Sequence, residues 1–389
     1  MRGHIGRRGT AAVLAAALVA GGAAPAAAAA HAGDGRPLQV AVDDLHGLGI
    51  TGVQGLTRVD GVTTRARAGV GDLERATPVP LDGYFRMGSD TKTFVSVVVL
   101  QLVGEGKLSL DDTVEHWLPG VVTGNGNDGR RITVRQLLQH TSGIYDYTDD
   151  IAALGSYEQY LAHRFDHYDA ADLVALAMKH EPGFAPDTHW SYSNTNYILA
   201  GMIIQKVTGR SWATEVRDRI LRPLGLGHTS TPGDLAYLPT PHADGYQQWV
   251  PGGPLTDTTV FNPSVADAAG SMVTTPTDLA RFWQALQRGR LLRPRQMAEM
   301  HDTVLAETFQ DVFPGARYGL GIMYFPNRCG GYWSHDGDVP GMSTANGVSG
   351  NGDRVAVLSL TTELADQQAA LAVRQRTGRL MDDVICGPA

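Results

Sequence analysis

Ser89-Asp90-Thr91-Lys92 places a hydroxyl and an amine three positions apart. On a helix, positions i and i+3 share a face, so the two groups can meet. A serine hydroxyl is a poor nucleophile until a base takes its proton. A lysine can be that base when it is neutral, a state favoured by burial, by nearby positive charge and by the potential at a helix N-terminus. Further along, Tyr192-Ser193-Asn194 combines a phenol able to relay protons with an amide able to hydrogen-bond a substrate amide. His335-Asp336-Gly337 adds an imidazole, and a glycine that allows close approach of a ligand to the backbone. Taken singly, each has a plainer reading: surface decoration for Ser-x-x-Lys, a helix-capping turn for Tyr-Ser-Asn, a satisfied structural histidine for His335.

Other patterns do not hold up. Gly124-x-Gly126-x-x-Gly129 spells a dinucleotide fingerprint, but it follows Leu118-Pro119-Gly120 rather than a strand and reads as a loop. His163 and His167 have metal-ligand spacing, yet no glutamate follows His163, so a solvated face is the better reading. A Gly-x-Ser-x-Gly elbow and a zinc-spaced cysteine set are both missing.

The elements that must carry the surviving motifs can be read coarsely. Asp60-Gly61 between GLTRV and VTTRA is a hairpin signal, so Leu48 to Val70 reads as strands. Ser89 to Gly104 is rich in valine, but its length and the stop at Gly104-Glu105-Gly106 favour a buried helix. Helical stretches follow at 134–140, 170–180, 195–209, 212–221 and 277–286, separated by Pro/Gly-rich loops such as Pro251-Gly252-Gly253-Pro254. Strands return at 318–325, 332–335, 342–348 and 354–361, with Asn351-Gly352 as a hairpin turn, and a last helix is expected over 364–384. Strands at both ends with helices between imply one sheet built from both ends of the chain, in regions 31–110 and 270–389, with a mostly helical region over 111–269.

The chain has 389 residues, 43% hydrophobic and 19% charged, which excludes a disordered chain, a coiled coil or a collagen-like repeat. Residues 1–30 carry Arg2, Arg7 and Arg8, a short apolar run over 11–20 and several Ala-x-Ala steps. This is the pattern of a secretory signal peptide, too short in its apolar core to span a membrane. Arg7-Arg8 leaves open a twin-arginine route. Removing those three arginines from the 32 basic residues leaves 29 against 40 acidic ones, a balance of −11. An acidic chain without a basic patch argues against nucleic-acid binding, and no later apolar run is long enough for a membrane anchor. Cys329 and Cys386 are the only cysteines. In an exported protein one disulfide is the simplest reading, with two buried thiols as the alternative.

Taken together, Ser-x-x-Lys, Tyr-x-Asn and His-x-Gly in that order resemble the serine β-lactamase and penicillin-binding superfamily. The surroundings FRMGSDTKTF, LQLVGEGKLSLDDTVEHWLPG, ITVRQLLQHTSGIYDYT and SYSNTNYILAGMIIQKVTG are most similar to secreted serine D-alanyl-D-alanine carboxypeptidases related to class C β-lactamases. The resemblance implies an α/β fold of the α+β type, an antiparallel sheet flanked by helices with a mostly helical inserted region and the site where they meet. It implies a Ser89 acyl-enzyme hydrolysed by water, with Lys92 and Tyr192 sharing proton transfer. Asn194 would hold the substrate amide, and His335 would support Tyr192 or the leaving group. Backbone N–H groups of Ser89 and Asp338 would form the oxyanion hole, with Gly337 and Asp338 against the substrate. No metal or organic cofactor is implied. The expected partners are small peptide, amide or ester substrates and β-lactam inhibitors, bound by a secreted monomer.

Substrate choice stays open. Relatives that bind a terminal carboxylate often have threonines where this chain has Asp336 and Asp338, and an arginine on the neighbouring strand, which the segment 321–325 lacks. Carboxypeptidase activity is the family default. D-aminopeptidase, D-amino-acid amidase, esterase or β-lactamase activity is the alternative, and a non-catalytic peptidoglycan-binding protein is the reading of another class. Alternation along a strand would put 336 and 338 on one face, but the intervening glycine is read here as turning Asp336 away.

Overall fold

The computed structural model describes residues 36–387; the signal-peptide reading of 1–30 lies outside them. Helix α1 (Arg36–Gly47) opens this unit, burying Leu38, Ala41, Val42 and Leu45 along one stripe. Strands β1 (Gly52–Val59) and β2 (Val62–Asp72) follow, joined at Asp60-Gly61, where both residues have positive φ. After an irregular stretch comes α2 (Thr91–Gly104), buried from Thr91 to Leu100.

The other half of the sheet comes from the far end of the chain. It comprises β3 (Val304–Leu305), β4 (Arg317–Tyr318), β5 (Met323–Phe325), β6 (Tyr332–Ser334), β7 (Gly337–Val339), β8 (Met342–Val348) and β9 (Arg354–Leu360). The order is β3-β4-β5-β6-β8-β9-β1-β2 with Thr77–Pro78 at the edge, and β7 pairs β8 beside this path. The two ends meet at an antiparallel pairing of β1 with β9, Val53 opposite Leu360 through to Val59 opposite Arg354. Strand β9 is buried on both faces. Val355 and Val357 join α2 and α5 (Pro276–Gln287) in one core, whereas Ala356, Leu358 and Leu360 join α1 and α6 (Gln367–Cys386) in the other. Period-two alternation makes one strand serve two cores.

Between α2 and α5 the chain is mostly helical, with segments at 134–139, 170–177, 195–208 and 212–216 among them. The Gly124 to Gly129 stretch is a small hairpin, Thr123–Gly124 against Asn127–Asp128, as befits a loop and not a nucleotide cradle. The expected strand over 318–325 is two strands. At Gly321, with φ +74°, a Cβ would stand 2.1 Å from the Ser96 hydroxyl, and Thr93 Oγ1 donates to the Gly321 carbonyl at 2.7 Å. The chain bends there to lie against α2, and regular pairing is lost. Helix α6 begins at Gln367, later than expected, with Asp366 accepting from the Ala369 N–H as its cap. Cys329 and Cys386 are joined, tying the end of α6 to the loop between β5 and β6. Among the described residues no helix is long and apolar enough to cross a membrane.

Candidate active site

Ser89 lies in a 3-10 turn, Gly88–Asp90, that leads into α2. It is the one residue from Phe85 to Leu100 that is not fully buried, so its hydroxyl is the only part of this run open to a ligand. The turn is pressed against β7. A Cβ on Gly337 would stand 2.0 Å from the Met87 carbonyl and 2.8 Å from the Ser89 nitrogen, and one on Gly88 would stand 2.9 Å from the Asp338 nitrogen. Glycine at both places lets the Ser89 turn and the Asp338 backbone pack against one another, the close approach that an oxyanion hole built from the two would need.

Lys92 is fully buried. Its Nζ donates to Ser89 Oγ at 3.1 Å, to Asn194 Oδ1 at 2.7 Å and to the Ala269 carbonyl at 2.7 Å. Burial pulls its pKa down to about 7, against the opposing pull of Asp146. Asn194 is oriented from both ends, since its Nδ2 donates to Asp146 Oδ2 at 2.9 Å. The Tyr192 side chain stands within electrostatic reach of Ser89, and burial holds its pKa well above the usual phenol value. The Lys92 ammonium lies 4.8 Å from the Tyr192 ring centroid. The structure therefore brings Ser89, Lys92 and Asn194 into one hydrogen-bonded group, with the Tyr192 ring beside it.

His335 is also buried at the cleft, with a different set of partners. Its Nδ1 lies 2.8 Å from the Asp336 carbonyl, which can only accept, so Nδ1 carries the proton. Nε2 then accepts from the Tyr318 hydroxyl at 2.8 Å. Burial lowers its pKa to about 3, and the ring is neutral. The expectation that His335 supports Tyr192 or the leaving group meets a ring whose two nitrogens are already used.

The cleft measures about 320 Å³ and runs from Ser89 and Tyr192 along β8 toward α6. Asp336, Asp338 and Glu363 line it. Asp336 does not turn away as expected. It faces the cleft half-buried, with Oδ1 accepting from Ser334 Oγ at 3.2 Å, and burial together with Asp338 pushes its pKa up to about 7. Burial and Asp338 push Glu363 up to about 8. Asp338 projects outward, its side chain 56% exposed. The arginine missing from the neighbouring strand is supplied by α6: Arg374 lines the cleft, 3.8 Å from the Asp338 carboxylate. Nothing in the spacing could place Arg374 or Glu363 there. Asp146 and His140, by contrast, lie inside ITVRQLLQHTSGIYDYT and could have been singled out as its one carboxylate and its one imidazole.

A clamp joins the turn that carries Ser89 to the segment that leads into β7. Asn346, on β8, donates from Nδ2 to Asp90 Oδ1 at 2.8 Å and to the His335 carbonyl at 2.7 Å. Asp90 is fully buried, and desolvation raises its pKa well above the usual carboxyl value.

The Beta-lactamase family pattern matches residues 14–377. Among solved structures, a D-stereospecific amidohydrolase from Streptomyces sp. is 39% identical, covers 92% of this chain and all of its own, and superposes with a TM-score of 0.82. The D-amino acid amidase from Ochrobactrum anthropi SV3 is 28% identical over 89% of this chain and 97% of its own, with a TM-score of 0.77. Penicillin-binding protein 4 of Amycolatopsis lactamdurans is 38% identical over 44% of this chain. The putative penicillin-binding protein PbpX of Bacillus subtilis is 25% identical over 80% of it. The chain spans 42% and 70% of the lengths of those two relatives. This chain belongs to the Beta-lactamase family, as a serine hydrolase of the β-lactamase and penicillin-binding superfamily.

Proposed function

We propose that this hydrolase cleaves amides whose acyl part carries a free ammonium, such as D-amino-acid amides or peptides with an N-terminal D-residue. The observation that carries the reading is the acidic cleft wall: Asp336, Asp338 and Glu363 beside the nucleophile, with Arg374 drawn toward Asp338. An ammonium placed there is attracted, and it favours the ionised form of carboxyls that burial otherwise keeps protonated. The similarity to the Streptomyces amidohydrolase and the Ochrobactrum amidase supports the same choice.

In this reaction the Ser89 proton passes to neutral Lys92, whose pKa near 7 makes it available, whereas Tyr192 is held as a phenol. The Ser89 oxygen bonds to the amide carbon, and the oxyanion rests on the Ser89 and Asp338 N–H groups. Collapse expels the amine, which takes the proton back through Tyr192, and water then hydrolyses the ester. Asn194 orients both Lys92 and the incoming amide.

D-alanyl-D-alanine carboxypeptidase activity is the second reading. Arg374 favours it, as a cation within the cleft that could meet a terminal carboxylate, and the penicillin-binding relatives support covalent capture of β-lactams. A panel of D-alaninamide, its N-acetyl derivative and an acetylated peptide ending in D-Ala-D-Ala separates the two. The amide reading expects N-acetylation to lower kcat/KM at least about tenfold; faster turnover of the acetylated peptide than of the free amide overturns it. The oxidised Cys329–Cys386 pair supports export through the 1–30 leader. Purification from the culture medium without residues 1–30 would test that.

A further inference from the structure

His140 takes no part in the chemistry above, yet it sits directly behind Tyr192. It caps the helix Val134–Gln139 in the left-handed conformation, φ +63°, and its side chain is fully buried. The imidazole lies 4.3 Å, centroid to centroid, from the Tyr192 ring and 4.8 Å from that of Tyr318. Nδ1 is 3.2 Å from the Ser193 backbone nitrogen and 3.1 Å from Asn196 Nδ2. Both are donors, so Nδ1 is the unprotonated acceptor and the proton sits on Nε2. Among the described residues Nε2 has no partner. The Asn196 amide is fixed in this sense because its Oδ1 accepts from Ser142 Oγ at 2.6 Å. The His140 carbonyl accepts from the Ser191 N–H at 3.1 Å. One residue thus holds positions 191 and 193, on either side of Tyr192, and 196, two residues past Asn194.

We propose that His140 is a positioning residue for acylation: its Nδ1 lone pair holds the Tyr192-Ser193-Asn194 segment so that the phenol stays at Ser89 and the amide at Lys92. Burial beside Lys92 and His335 disfavours the imidazolium, so the lone pair is not lost to a proton at working pH. The proposal rests on Ser89 as nucleophile and on no choice of substrate.

The left-handed backbone makes a clean test possible. Glycine and asparagine both tolerate φ near +60°, but only asparagine offers an oxygen near the place of Nδ1. Stopped-flow labelling with a fluorescent penicillin, followed over a range of concentrations, separates pre-covalent binding from the acylation rate constant. His140→Gly is expected to acylate roughly 10- to 100-fold more slowly, with pre-covalent binding within about threefold of the parent, while His140→Asn stays within about threefold in both. Acylation by His140→Gly within about threefold of the parent overturns the proposal, as does a folded His140→Asn that acylates as slowly as His140→Gly. If His140→Gly does not fold, the His140→Asn rate decides alone. A parent that takes no label, or a Ser89→Ala variant that still does, overturns the Ser89 reading and the proposal with it.

Discussion

The helical wall and the strand wall of the cleft handle polar groups in opposite ways. On the helical side Lys92 is fully buried and has three acceptors, Asn194 is tied at both ends, and His140 is neutral behind Tyr192. On the strand side Asp336, Asp338, Glu363 and Arg374 crowd together, part-exposed and loosely paired, the best contact between opposite charges being 3.8 Å. Lys92 and Asn194 are held in a buried paired network, which is rigid and for which loss of one partner is costly, although His140 Nε2 beside it stands unpartnered. A half-wet carboxylate cluster is adjustable, because each group can gain or shed a proton as the ligand demands. We therefore expect bond-making to depend on the helical wall and ligand choice on the strand wall.

Removing the nucleophile is the most severe way to break that assignment. Ser89→Ala is expected to lose acylation entirely while keeping its fold, read as absence of a penicillin adduct by mass spectrometry. An adduct on another serine would move the site. Next comes the base. Lys92→Gln should lower acylation about 10²- to 10⁴-fold.

The pH profile sharpens the same point. With a neutral nitrophenyl ester, activity should rise through pH 7 as Lys92 loses its proton and then level off. With a D-amino-acid amide it should rise likewise and then fall near pH 8, where α-amino groups of pKa about 7.7–8.0 lose the charge the strand wall recognises. Two identical profiles would deny the strand wall a role in choosing the substrate.

The clamp between the walls should show in stability. Asn346→Ala leaves the Asp90 carboxyl and the His335 carbonyl without their donor, which is expected to cost about 2 kcal/mol. A urea midpoint equal to the parent's would show that the clamp is replaced by water. The smallest effect expected is on selectivity. Asp338→Thr should shift the rate ratio between a D-Ala-D-Ala peptide and a D-amino-acid amide toward the peptide by about 1–2 kcal/mol, or roughly 5- to 30-fold. An unchanged ratio would leave Asp338 as a solvent-facing bystander and restore the carboxypeptidase reading.

What the sequence disclosed divides along the same line. Ser89 with Lys92 and Tyr192 with Asn194 are close in sequence within each pair, and helix geometry alone brings the first pair together, so they were legible. So were the Asp60-Gly61 and Asn351-Gly352 hairpins, where turn chemistry is local. Helix α1 was missed although Leu38, Ala41, Val42 and Leu45 have helical spacing, because it abuts the alanine-rich leader. Arg374 and Glu363 reach the cleft only through the packing of α6 across the sheet, and Asn346 meets Asp90 across 256 positions. Contacts of that kind depend on tertiary closure, and no periodicity encodes them.

The pairing of β1 with β9 has a consequence for the order of events in synthesis. Val53 lies opposite Leu360, so the central pairing of the sheet cannot form until nearly the whole chain has been made. The two backbone donors proposed for the oxyanion hole, at Ser89 and Asp338, are divided in the same way. A nascent or truncated chain that holds Ser89 lacks the strand whose Asp338 N–H the proposed mechanism uses. Pairing at such sequence separation is intrinsically slow. On the proposed mechanism, chains truncated before Gly337 are therefore expected to take no penicillin label, so that completion of the sheet and onset of reactivity coincide.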